Sequence, residues 1–374
     1  MLLLAFGQKK MINRPVVGIL HLVVYVGFIL INIELLEILL DGIFGTHRLF
    51  APYLGSLYNF LIAMFEIFAL LVLVAVIFFW TRRNVSKIKR FWKSEMKGWP
   101  KQDADNILYF EVILMVLFLS MNATDSLLQN FGAESYIKAG SFPVSQFLTP
   151  LFEEFKLETL IILERSFWWL HIIGIFAFLN YLYYSKHLHI LLAFPNTYFA
   201  NLEIKGKFRV NPNIKSEVQL MLNPQASIPE SSSTIPEKFG ATDVFDLSWV
   251  QLMNSYSCTE CGRCSSECPA NITGKKLSPR AIMMKTRDRL EEVGENINKN
   301  GGKFISDGKQ LLNDYIKPEE LWACTSCNAC VEACPIEIDP LSIIMEMRQY
   351  LTLEKSAAPI ELNSMMANIE NNGA

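Results

Sequence analysis

All eight cysteines of this 374-residue chain fall into two copies of one pattern. Cys258, Cys261, Cys264 and Cys268 precede Pro269, and Cys324, Cys327, Cys330 and Cys334 precede Pro335, so each copy reads C-x2-C-x2-C-x3-C-P. Thiolates at this spacing suit [4Fe–4S] clusters. The first three sit together on one turn and take three corners of a cubane. The fourth, set off by three residues and followed by proline, points away and serves the neighbouring cluster. The expected ligand sets are therefore Cys258, Cys261 and Cys264 with Cys334, and Cys324, Cys327 and Cys330 with Cys268. A disulfide framework also uses an even count, and tetrahedral zinc also uses C-x2-C pairs. Neither explains the same run plus proline occurring twice with no cysteine left over. Two such clusters imply one-electron chemistry, and thiolates kept for iron imply a reducing, cytoplasmic setting.

The second set of candidate ligands is histidine. The chain has only His21, His47, His171, His187 and His189, all in or beside long apolar runs. Four segments, Val16–Leu40, Leu57–Trp80, Ile107–Leu128 and Leu160–Leu192, reach the roughly 20 residues a bilayer span needs. Uncharged runs such as Phe68–Trp80 argue against buried helices of a soluble protein. The N-terminal MLLLAFGQKK is not expected to be a signal peptide, because its charges follow the apolar stretch. Lys9, Lys10 and Arg14 before the first span, and the basic run Arg82–Lys101 between the second and third, place both termini inside by the positive-inside rule. The chain is thus expected to be a multi-pass protein of the inner (cytoplasmic) membrane with both termini cytoplasmic.

Under that topology the first and fourth spans are antiparallel. His21 is then level with His187 or His189, and His47 with His171, one axial pair near each face for two b haems. At 100° per residue, 18 residues return His189 to the face of His171, whereas 16 turn His187 away by about 160°. The expected haem ligands are therefore His21, His47, His171 and His189. Glu66 and Glu111 within the spans suggest either a proton path for a quinone or pairing inside the bundle.

The elements that must position these residues read as all-α. Residues 1–200 form a four-helix transmembrane bundle, 201–242 a proline-bearing linker, 243–354 an α-helical ferredoxin domain with two [4Fe–4S] clusters, and 355–374 a tail. After each cysteine run a capping residue and proline open a helix, Ser278-Pro279 and Asp339-Pro340. Ile282, Met284, Arg287 and Leu290 recur 61 residues on as Ile343, Met345, Arg348 and Leu351, an internal repeat. Net charge is −3, which offers no electrostatic case for nucleic acid.

The segments YSCTECGRCSSECP and CTSCNACVEACPIEIDPLSIIMEMRQYL make the cluster domain resemble the two-cluster carrier subunit of heterodisulfide reductase. The span pattern and the 18-residue histidine gap resemble the dihaem cytochrome b gamma subunit of respiratory nitrate reductase, with one span fewer. The resemblance implies an iron–sulfur oxidoreductase subunit that relays electrons between quinone or quinol in the lipid membrane, two b haems, two clusters and a cytoplasmic partner. That family keeps its substrate chemistry in a CCG cysteine module. This chain has no adjacent cysteines, no dinucleotide or phosphate loop and no catalytic constellation, so no catalytic residue is assigned and the partner is expected to be a CCG-type subunit. The alternatives are a component of an electron-transferring-flavoprotein:quinone oxidoreductase and a haem-free membrane anchor for an iron–sulfur module.

Overall fold

The computed structural model describes residues 1–204, 206–207, 212–223 and 238–373. It is helical, and no strand occurs among the described residues. It divides into two compact units, Met11–His187 and a second made of Met1–Lys10 with Leu188–Ala374.

The first unit holds the four helices long and apolar enough to cross a bilayer: α1 (Pro15–Phe44), α2 (Ser56–Asn84), α3 (Trp99–Asn130) and α4 (Leu157–Leu182). This is a membrane protein. The helices pack in sequence, α1 on α2, α2 on α3 and α3 on α4. Gly27 permits the first contact, because a Cβ there would lie 2.7 Å from Val72 Cγ2.

Of the two roles open to Glu66, a proton path or a structural pairing, its surroundings are those of a pairing. Its Oε2 accepts from Val144 N at 2.9 Å and Ser145 N at 3.1 Å, and its Oε1 from Asn122 Nδ2 at 3.1 Å. Asn122 in turn accepts from buried Arg48, which also donates to Asp125 Oδ2 at 2.7 Å and Glu34 Oε1 at 3.3 Å. Arg48 is the hub that ties the first and third connections to α1, α2 and α3. Because removing one partner leaves buried charges uncompensated, Arg48→Leu is expected to destabilise the bundle by about 3–5 kcal/mol, read as an earlier midpoint in detergent unfolding.

The expected fourth span, Leu160–Leu192, is not one helix. α4 ends at Leu182, and α5 (His189–Tyr198) starts after a turn. Buried Asp103 diverts the chain, accepting from Tyr181 Oη at 2.6 Å and from Lys186 N at 3.0 Å.

The cluster unit begins earlier than the expected residue 243 and recruits the N-terminal segment. α5 packs on α7 (Trp249–Ser257), with Phe199 and Trp249 rings 4.7 Å apart, and Asn196 Nδ2 donates to Ile336 O at 2.7 Å. The expected linker contains a helix, α6 (Pro212–Leu222), while its proline-bearing middle, residues 224–237, lies outside the described residues. Beyond it come α8 (Arg263–Glu267), α9 (Pro279–Lys299), α10 (Pro318–Trp322), α11 (Ala329–Ala333) and α12 (Pro340–Leu353).

The two repeat helices start as their sequences require. Ser278 caps α9 by accepting from Ala281 N, and Asp339 caps α12 by accepting from Ser342 N at 3.0 Å. Their stripes meet in one core with Ile282, Ile343 and Leu351 buried. Arg289, fully buried on α9, holds the surrounding loops through Asp243 Oδ2 at 2.8 Å and Lys309 O at 2.9 Å, and through Asp307. Arg289→Met is expected to cost about 3–5 kcal/mol of cluster-unit stability, measured by urea-induced loss of cluster absorbance.

Candidate iron–sulfur site

Each cysteine run is built on the same backbone. Left-handed residues separate the first three thiols: Glu260 (φ 56°) and Gly262 (φ 70°) in the first copy, Ser326 (φ 57°) and Asn328 (φ 60°) in the second. These bends turn successive cysteines to one side of the loop. They also aim amides at sulfur, and Ser326 N lies 3.4 Å from Cys324 Sγ. The short helices α8 and α11 pack on one another. Each carries its run's third cysteine and ends at the fourth, so the packing exchanges the fourth thiols between loops.

The thiols gather accordingly. Cys268, Cys324, Cys327 and Cys330 line one small cavity, together with Leu277, Leu341 and Ile344. Cys264 lies within the electrostatic reach of Cys258, Cys261 and Cys334, and more weakly of Cys330, and Cys334 within that of Cys261 and Cys258. Among the described residues no three His, Cys, Asp or Glu side chains converge on a single metal ion. A four-iron cluster does not ask for that, since each thiolate meets its own corner. The donor set therefore fits two cubanes, with Cys258, Cys261, Cys264 and Cys334 as group I and Cys268, Cys324, Cys327 and Cys330 as group II. Burial pushes the Cys258 thiol up to about 11 and the Cys334 thiol up to about 12, so a bound cluster would supply the charge that holds them ionised at neutral pH.

Two arginines at equivalent repeat positions brace the loops, a role the sequence signalled only as an offset of 61. Arg287 pairs with buried Glu260. Arg348 instead donates to neutral acceptors, Ser326 Oγ at 3.1 Å and Leu321 O at 2.6 Å, and its charge acts on Cys324. Arg348→Met is expected to lower the midpoint potential of the group II cluster by on the order of 50–100 mV in EPR-monitored titration. Arg287→Met should move group I less if Glu260 is neutralised in the same variant.

The histidines are placed differently from the expected pairs. His47 Nε2 lies 2.9 Å from Asp125 Oδ1, and its Nδ1 accepts from Ile137 N at 3.3 Å. Both ring nitrogens are engaged, so His47 does not fit as an axial partner for His171. His171 is buried in α3–α4 packing, 5.8 Å from the Phe118 ring, and its Nδ1 has no hydrogen-bond partner. His187 falls in the turn after α4 beside Phe178, and His189 opens α5 in the cluster unit. Helical phase cannot relate His189 to His171, because the helix between them is broken. His21 lies in α1 of the membrane unit.

The family model that matches is the 4Fe-4S dicluster domain, over residues 257–338. Residues 257–338 form a 4Fe-4S dicluster domain. Over nearly the whole chain, the sequence is similar to the probable iron-sulfur-binding oxidoreductase FadF of Bacillus subtilis, at 27% identity covering 98% of this chain and 52% of that protein. It is likewise similar to the EtfAB:quinone oxidoreductase of Syntrophomonas wolfei, at 25% identity covering 98% of this chain and 50% of that protein. The chain thus spans about half the length of these two relatives. A heterodisulfide reductase C-subunit-like protein of Archaeoglobus profundus matches at 26% identity, over 38% of this chain and 63% of its own length. No solved structure matches. The dicluster domain and these homologues support an electron-transfer role.

Proposed function

We propose that this chain is the membrane electron-transfer module of an electron-transferring-flavoprotein:quinone oxidoreductase. It passes electrons through two [4Fe–4S] clusters between a cytoplasmic flavoprotein and membrane quinone. The observation that carries this reading is the likeness over 98% of the chain, spans and dicluster domain together, to a protein whose name states that exchange. The clusters, when bound, supply one-electron storage. The chain's residues hold the thiolates in two groups, exclude water with Leu277, Leu341 and Ile344, and tune potential through Arg287, Arg348 and amides aimed at sulfur.

A second reading replaces the flavoprotein by a CCG-type catalytic subunit, favoured by the likeness of the dicluster domain to the heterodisulfide reductase relative. The purified chain, mixed anaerobically with reduced electron-transferring flavoprotein and a short-chain quinone, separates the two. The first reading expects cluster bleaching followed by quinone reduction. Clusters that assemble yet never exchange electrons with the flavoprotein would overturn it in favour of the second.

A further inference from the structure

The two thiol groups have different surroundings within the cluster unit. Group I is bound to the two segments through which this unit is covalently continuous with the spans. Lys10, joined to Met11, accepts at its carbonyl from Arg263 Nη1 at 3.1 Å, between Cys261 and Cys264. Its ammonium pairs with Glu337 at 2.6 Å and donates to Glu332 O at 2.9 Å, on either side of Cys334. From the other segment, α5, Asn196 donates to Ile336 O, two residues past Cys334. α5 also packs on α7, whose C-terminal cap is Cys258. Every one of these contacts flanks a group I ligand.

Of these contacts group II is flanked by one, that of Lys10 with Glu332 O, two residues past Cys330. Cys327 is the exposed cysteine of the eight, whereas Cys258 is buried. Thr325 beside it is exposed, and it lines the group II cavity together with Asn328. An outer-sphere electron reaches a redox partner most readily through an exposed ligand edge, and group II supplies that edge.

We propose that the two clusters act in a fixed order: the group I cluster exchanges electrons with the membrane half, and the group II cluster exchanges them with the soluble redox protein. Each transfer moves one electron from a reduced to an oxidised cluster and makes or breaks no bond. This order rests on the relay proposed for the chain as a whole.

Its test uses the full-length protein in detergent, reduced with dithionite, with a soluble dysprosium chelate as paramagnetic relaxer. Cys258→Ser and Cys327→Ser assign the EPR signals to groups I and II. A variant that loses its cluster altogether assigns the missing signal equally well. The expected result is that the chelate speeds relaxation of the group II signal at least about tenfold more than that of group I. Equal enhancement, or a larger effect on group I, overturns the order. A full-length protein with no cluster signals at all would instead defeat the relay reading itself.

Discussion

Replacing Cys268 with serine will damage the cluster whose other thiolates lie 56 to 62 residues further along the chain, and will spare the cluster formed around its own run. Cys268 follows Cys264 closely in sequence, yet it lines the cavity of Cys324, Cys327 and Cys330. Serine presents a harder and more basic oxygen, so the group II cluster is lost or its EPR signal is shifted. Iron analysis should fall from about eight toward about four per chain if that cluster is lost. Cys334→Ser should do the converse, because Cys334 sits beside Cys258 and Cys261. A Cys268→Ser protein that keeps the group II signal and loses group I would show that each run wires its own cluster.

The cysteine spacing made the paired bends of the two loops legible, because short-range covalent geometry fixes them. A C-x2-C-x2-C run forces local bends, and a proline after the fourth cysteine forces the chain away, whatever packs around it. The repeat helices were legible for the same reason, since Ser278-Pro279 and Asp339-Pro340 are local start signals. The histidine geometry depended on one long helix staying straight. Hydropathy continues through Leu182 into Leu192, but Asp103, 83 residues before Lys186, interrupts the helix by accepting from the Lys186 amide. That is a tertiary contact with no local signature.

The role of Arg48 was hidden similarly. As the one cation of the first connection it counts toward topology only as a charge, whereas the fold uses it to join Asp125, Asn122 and Glu34. The unit boundary was also unreadable. Met1–Lys10 and α5 look like fringes of the spans, and tertiary contacts such as those with Arg263, Glu337 and Ile336 reveal that they belong with the clusters.

That boundary determines how electron transfer between the halves should be tested. A short-chain quinol is expected to reduce the clusters of the full chain in membranes about a thousandfold faster than it reduces them when the spans and a cluster fragment are mixed at micromolar concentration. Tethering supplies an effective concentration in the millimolar range, and separate pieces forgo it. The cluster fragment must join Met1–Lys10 to Leu188–Ala374, because a cut at residue 240 removes α5, the Phe199–Trp249 contact and the Asn196 bond to Ile336 O. A fragment starting at 241 should lose its clusters at least about tenfold faster on standing, which corresponds to about 1.4 kcal/mol. An optical spectrum recorded during the quinol experiment distinguishes two routes. A reduced b-haem band that rises before the clusters bleach places haem between quinol and cluster, and substitution of buried His171 should then abolish part of that band. Bleaching without any such band means that quinol delivers electrons to the clusters directly. Equal rates for tethered and separate halves would show that the spans only anchor the cluster unit, and the relay reading would fail.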